Sequence, residues 1–474
     1  MRLRFRVLSM AAMVATLVPV CVSAPGVTKI LDQDIIVTAA PAYDPLAALR
    51  GDERFPEGAQ LLLVHQGNAT PLVKGFAASA DANVSFDGKS VLFAGKQAAT
   101  DPWQIWELAL ANGSVRRLIA SSSDAIRPLY LPAGQLVYAA RTAAGYQLVV
   151  AGKASPSMMV PVAADAGETL LPVSHVRGSA IPTDVLLDGR ILFEANFPLG
   201  SGSTSELYLV YSDGSGVESY RCDHGQARWG GRQLASGEVI FTHGSSLARF
   251  TSPMAHEVPV VAARAEYSGG ISETAQGDWL VSARASTGAH YSIKLRSSLP
   301  KSAPTAMQTV IAVSGENLVD PVLIVPRTRP NHHPTALHPW HYANLLSLDS
   351  RLSREGDLAA APASVRLETL DEQGHVVSNG TAPVEADGSF FVQTPSDRPI
   401  RFALLNAKGA VVRQEHGWFW IRSGEQRICT GCHTGPERAS ENRVPDVLMR
   451  TTVPVDLTAA KAVSQAQTGA PGGN

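Results

Sequence analysis

Along most of the chain, apolar and polar positions alternate in short runs, each closed by a turn that contains glycine. Ser85-Phe86-Asp87-Gly88-Lys89-Ser90-Val91-Leu92-Phe93 is the clearest copy. Related copies surround Gly134, Gly189, Gly237 and Gly277, and the gaps between successive turn glycines are 46, 55, 48 and 40 residues by subtraction. Period-two patterning over five to seven residues predicts strands, and Gly at the tip predicts tight turns. Behind several copies comes a second pair of runs. Trp103 to Leu108 leads to Asn112-Gly113, and Glu206 to Val210 leads to Asp213-Gly214. Asn-Gly and Asp-Gly favour the hairpin turns that need positive φ. Each unit therefore predicts four short strands, and a period of 40 to 50 residues with four strands describes one blade of a β-propeller. Six or seven blades fit residues 34–326. The run from Gln60 to Val73 reads as the outer half of a blade whose inner half lies elsewhere, so one blade is expected to join both ends of this region. A β-sandwich is the weaker reading of the same stretch, because the period exceeds the strand spacing of a sandwich.

The pattern then breaks. Pro326 to His341 reads PRTRPNHHPTALHPWH, which suits neither a helix nor a central strand, so 327–361 is expected to be a Pro/His-rich linker. Alternation resumes in Val365 to Leu370, Ser389 to Val392, Ile400 to Leu405 and Trp418 to Ile421, with turns at Asp387-Gly388 and Lys408-Gly409. This predicts a small β-sandwich-like domain over 362–422. The segment 423–450 holds the chemistry described below. The small, polar, Gly- and Pro-ended stretch 451–474 is expected to be disordered. The fold class is mostly β.

Composition narrows the function. The 474 residues include 40 Lys+Arg and 42 Asp+Glu, and a net charge of -2 argues against a dedicated nucleic-acid binder. Four cysteines are too few for a disulfide-built fold. Arg2, Arg4 and Arg6 precede an apolar run from Val7 to Val22, and Ser23-Ala24 can end it. That is the form of an export signal over 1–24, with the mature protein expected outside the cytoplasmic membrane, in the periplasm. Pro19 breaks the run and argues against an uncleaved anchor, and no later stretch is apolar enough to span a bilayer.

The strongest chemical signal is Cys429-Thr430-Gly431-Cys432-His433, a C-x-x-C-H motif. Two thiols three positions apart can both bond the vinyl groups of one haem, and the adjacent His433 then reaches the iron as proximal ligand. Thioether formation belongs outside the cytoplasmic membrane, which agrees with the signal sequence. A thioredoxin-like site needs a βαβ unit, a zinc ribbon needs a second C-x-x-C, and neither is visible. His416, 17 residues upstream, and Met449, 16 residues downstream, are the candidate distal ligands, with an open iron site as a third arrangement. The aromatic run Trp418-Phe419-Trp420 is expected to pack against the cofactor. His332, His333, His338 and His341 lie in the linker without an accompanying carboxylate or Cys and read as a polar loop. Cys222 reads as a buried thiol in a blade. No G-x-S-x-G, H-E-x-x-H or Walker loop is present.

The Asp-Gly-Lys copy and its following hairpin resemble the repeats of TolB-like and WD40-like propellers, a likeness of fold alone. The C-terminal third resembles the hydrazine synthase alpha-subunit-like proteins. The stretches that carry this are Arg329-Pro330-Asn331-His332-His333-Pro334, Leu337-His338-Pro339-Trp340, Val384 to Phe390, Arg398 to Phe402, and Trp420 to Glu425 leading into Cys429 to His433. The resemblance implies a propeller, a β domain and a c-type haem. The synthase subunit itself carries two haems within a multi-subunit complex, whereas this chain has one C-x-x-C-H, so hydrazine synthesis is not carried over. The resulting expectation is an exported single-haem protein for electron transfer or haem oxidoreductase chemistry. Its partner would be a redox protein or a small electron donor or acceptor. The alternative is a cofactor-free propeller binding module whose C-x-x-C is a disulfide or metal clip.

Overall fold

The computed structural model describes residues 31–152, 162–163, 169–196, 205–221, 226–252, 255–260, 265–297, 307–333, 335–353, 356–431 and 441–459. The expected signal sequence, Cys222, Cys432 and His433 lie outside these residues.

Six antiparallel sheets form the first body. Blade 1 contains Ala78–Val84, Ser90–Lys96, Gln104–Ala109 and Val115–Ile119 in that order from the inside outward. Blade 2 begins at Ala125–Tyr130, blade 3 at Ala180–Val185, blade 4 at Arg228–Gln233 and blade 5 at Glu266–Glu273. Blade 6 is composite. Asn317–Leu323 supplies its innermost strand, and Ile35–Ala40, Gln60–His65 and Asn68–Pro71 supply the other three. The innermost strand of each blade touches that of the next, and blade 6 meets blade 1, so the ring closes with six blades. The five repeat glycines, Gly88, Gly134, Gly189, Gly237 and Gly277, all adopt positive φ between 74° and 91°, as their turns require.

One feature of the ring contradicts simple strand propensity. Every innermost strand slips register against its neighbour. In three of them the slip includes a non-glycine residue at positive φ: Asp81, Arg127 and Asp320. Bulges of this kind sharpen local twist and re-aim side chains. Arg54, from the connection between Ile35–Ala40 and Gln60–His65, pairs there with Asp81 and, at 2.8 Å, with Asp320. All three side chains are 4% exposed. Arg127 stands 3.4 Å from both carboxylates. At the opposite end, Arg327 donates to the Val84 carbonyl and lies over the Phe86 ring, with Asp184 and Arg232 beside it. The chain around Arg327 runs from the first turn of blade 1 (Arg327 N–H to Phe86 O) to that of blade 3 (Asn331 N–H to Leu187 O). Arg54, Arg127 and Arg327 thus all bind the innermost strands of the ring.

The second body is a sandwich of two four-stranded sheets. One contains Val376–Pro383, Ser364–Leu370, Ile400–Leu405 and Val411–Gln414. The other contains Gln426–Cys429, Tyr342–Ser347, Phe390–Pro395 and Val455–Asp456. Its membership differs from the expected 362–422. Tyr342–Ser347 comes from the expected linker, Gln426–Cys429 from the segment after it, and Val455–Asp456 from the expected disordered tail. The reason is pairing. Both flanking strands join in parallel, Gln426–Cys429 on Tyr342–Ser347 and Val455–Asp456 on Phe390–Pro395. No local hairpin signal marks such long-range partners. Leu457 anchors the last strand with 1% exposure.

The two bodies share apolar contacts. Trp420 leaves the sandwich and enters a cluster with Val173, Val176, Phe193, Tyr208 and Val217 of blades 2 and 3. Its indole N–H donates to the Gly214 carbonyl at 3.3 Å. Among the described residues, no helix is long and apolar enough to cross a membrane.

Candidate functional site

Gln426–Cys429 is an edge strand with exposed Gln426 and Ile428 and half-buried Arg427 and Cys429. Alternation explains this: one face of an edge strand meets solvent and the other meets the core. Cys429 lies opposite Ser347, and its carbonyl accepts from Leu348 N–H at 2.8 Å. The thiol is free and packs against the sandwich core. Burial pushes it up to about 11, against the pull of Arg427. It is therefore a neutral thiol on the apolar side of an edge strand, not a reactive thiolate.

The propeller fixes this strand. Glu425 accepts from Gly216 N–H at 3.2 Å and from Arg422 N–H at 2.9 Å. Arg427 donates to the Val217 carbonyl at 3.0 Å and pairs with Glu425 at 2.8 Å. The residues leading into the motif thus rest on blade 3. On the inner side, Gly424 (φ +81°) lets the His338 carbonyl come so close that a Cβ would collide with it.

Of the candidate ligands, His416 is exposed and follows Val411–Gln414, the edge strand of the other sheet. Its neighbour Glu415 sits in the electrostatic surroundings of Cys429. Burial pushes Glu415 up to about 7, opposed by a hydrogen bond from Phe402 N–H and by Arg427 and Arg401. The fold therefore brings residues 415–416 toward the edge that holds Cys429. Met449 is 76% exposed on the short helix Asp446–Arg450. That helix is tied to the sheet by Val447 N–H to Ser389 Oγ at 3.1 Å, next to Phe390, which lies across Ser347 from Cys429. Both candidates thus lie toward the end of the sandwich that bears the motif.

The three rings of the aromatic run have different surroundings. Trp420 belongs to the propeller contact, and Trp418 lies under Arg401 at 4.7 Å. Phe419 alone packs against the same core as Cys429. Phe419 also touches the cluster that holds Trp420, so it bridges the two bodies. The four linker histidines separate as well. His333 stacks on Tyr211 at 3.9 Å, His338 stacks on Trp340 at 4.3 Å, and His332 and His341 are exposed. Among the described residues no three His, Cys, Asp or Glu side chains converge as a metal site.

Sequence reading missed the axial group of Arg54, Asp81, Arg127 and Asp320. The available signal was a charged residue inside an otherwise apolar run, as in Ala80-Asp81-Ala82 and Val319-Asp320-Pro321. Their meeting depends on ring closure, which no local pattern reports.

Residues 363–434 match the family model described as the hydrazine synthase alpha subunit middle domain. Among solved structures, Kuenenia stuttgartiensis hydrazine synthase aligns with a TM-score of 0.74 and 16% identity, over 89% of this chain and 72% of that one. TolB from Acinetobacter baumannii aligns at 0.37 and 12% identity, over 62% and 67% of the two chains. A chain of the nidogen/laminin complex aligns at 0.43 and 9%, over 62% and 100%. No curated protein sequence matches the chain. Residues 363–434 thus match the middle domain of that subunit, and the described body shares the fold of the Kuenenia protein.

Proposed function

We propose that this chain is an exported, single-haem c-type cytochrome-like protein, with the propeller as the platform for its redox partner. The observation that carries this is the C-x-x-C-H motif, whose first cysteine is a free, half-buried thiol at an apolar sandwich edge. The surroundings suit an apolar macrocycle. Ile428, Val444, Met449 and Val453, between 61% and 76% exposed, concentrate in the segment around the motif. Large apolar side chains left in water at one place mark a surface that something covers.

In this reading Cys429 and Cys432 hold the macrocycle through its vinyl groups and His433 ligates the iron. His416 or Met449 is the distal partner. A covalently held haem supplies one-electron transfer at the iron. Glu425 and Arg427 keep the Cys429 strand on blade 3, and Phe419 excludes water from its inner side. The electron donor or acceptor is a redox protein or a small molecule. The single C-x-x-C-H motif supports haem redox chemistry, and nothing in this reading calls for hydrazine synthesis. The leader with Arg2, Arg4 and Arg6 is read as the export signal that brings the chain to haem attachment, most simply in the periplasm.

The test is a pyridine haemochrome spectrum of the full chain, made with a haem-attachment apparatus present. One haem per chain, resistant to acid-acetone extraction and lost in the double variant Cys429→Ala/Cys432→Ala, is expected. No haem beside a working control cytochrome overturns the reading and leaves a propeller binding module.

A further inference from the structure

The contact between the two bodies contains a half-buried histidine, His175, whose Nε2 is itself buried and makes no hydrogen bond. His175 lies between blades 2 and 3, in a segment whose neighbours Val173 and Val176 are buried with Trp420. Its ring meets the Trp420 ring edge-on at 5.9 Å. Nε2 is buried 3.4 Å from Asp397 Oδ1, with no hydrogen bond formed. Asp397 belongs to the sandwich and holds a left-handed backbone at φ +56°. Its Oδ1 already accepts from Arg422 Nη1 at 2.9 Å and from Ser423 N–H at 3.3 Å. The charged groups that face His175 are therefore Asp397 and Arg422, which neutralise each other. A proton on His175 would leave two cations sharing the one Asp397 carboxylate, a net positive charge in a largely apolar contact.

We propose that His175 is an acid-sensing contact whose protonation loosens the docking of the sandwich on the propeller. When the bodies are apart, the ring is in water and takes a proton readily. When they are docked, the ring lies between Trp420 and an already satisfied ion pair, with its Nε2 buried. Burial and, more weakly, Arg422 lower its pKa from 6.5 to about 4 despite the pull of Asp397. For a base with a depressed value, docking is fully favoured above pH 6.5 and weakens as pH falls toward 4. At pH 5 the docking equilibrium drops about 30-fold on these values. The same contact carries Glu425 and Arg427, so release frees the strand that leads to Cys429.

The test uses the full chain and no haem readout, so its outcome is independent of the haem assignment. Hydrogen exchange of residues 173–179 and 420–427 is measured at pH 7.5 and pH 5 and corrected for intrinsic rates. About 30-fold faster opening at pH 5 is expected in the wild type, with little change in His175→Gln. An equal rise in the variant, or none in the wild type, overturns the proposal. If His175→Gln does not fold, NMR titration of the His175 ring in the wild type decides. A midpoint near 4 supports the proposal and a midpoint near 6.5 overturns it.

Discussion

Arg54 shows what one side chain can hold together in this protein. It reaches Asp81 and Asp320, which are separated by most of the propeller sequence, and its own backbone belongs to neither strand. Burial opposes ionisation of Asp320, yet Arg127 and Arg54 hold its carboxyl at about 2. A depressed carboxylate contributes stability above its unfolded value of 3.8, and that contribution is lost as pH falls toward 2. Replacing Arg54 with Met leaves two buried carboxylates under-compensated, and a loss of about 3–5 kcal/mol in urea unfolding at pH 7 is expected. Glu415 works in the opposite direction. Its raised value means that the fold prefers the neutral acid, so stability declines as pH rises from 4.5 through 7. Glu415→Gln should therefore raise the thermal midpoint at pH 8 and change it little at pH 4.5. A uniform effect at both pH values would show that Glu415 stays charged in the fold. Trp420→Ala should cost about 3–5 kcal/mol, because its ring is 1% exposed among residues of both blades.

At the scale of elements, the sequence was most legible where the chain turns. The glycines of the five repeat turns, and Gly113 and Gly214 in the hairpins, have the positive φ their positions predicted. Turn chemistry is local, and residue type states it directly. The bulges at Asp81, Arg127 and Asp320 were illegible for the converse reason, since left-handed backbone is disfavoured for these residues and only tertiary contacts impose it. The strand Tyr342–Ser347 and the edge strand that ends at Cys429 were hidden by their parallel pairing. The motif at 429–433 was plain, but its surroundings were not, because Phe419 bridges the sandwich core and the Trp420 cluster only once the sheet and the blade are both in place. Gly424→Ala tests how this corner is built. The new methyl meets the His338 carbonyl, so local hydrogen exchange should rise in 338–342 and 424–427 while the propeller is unchanged. Unchanged exchange at both segments would mean that the corner yields without strain.

For the whole molecule, closure makes the six blades interdependent. The buried Val319 sits on the innermost strand of blade 6 and contacts the apolar cluster that runs through blades 1 and 2. Val319→Asp should lower the unfolding midpoint of the entire propeller in one transition, monitored by circular dichroism. Separate transitions for different blades would show that the ring lacks this cooperativity.

Closure also imposes an order in time. A chain that emerges N-terminus first releases Ile35–Ala40 and Gln60–His65 long before Asn317–Leu323 exists to cover them. At roughly 5–20 residues per second, the wait lasts tens of seconds. For that interval an apolar strand, IIVTAA, carries an open edge with no charged residue to guard it. The last strand of the ring therefore sets how long the first remains vulnerable to a neighbouring chain.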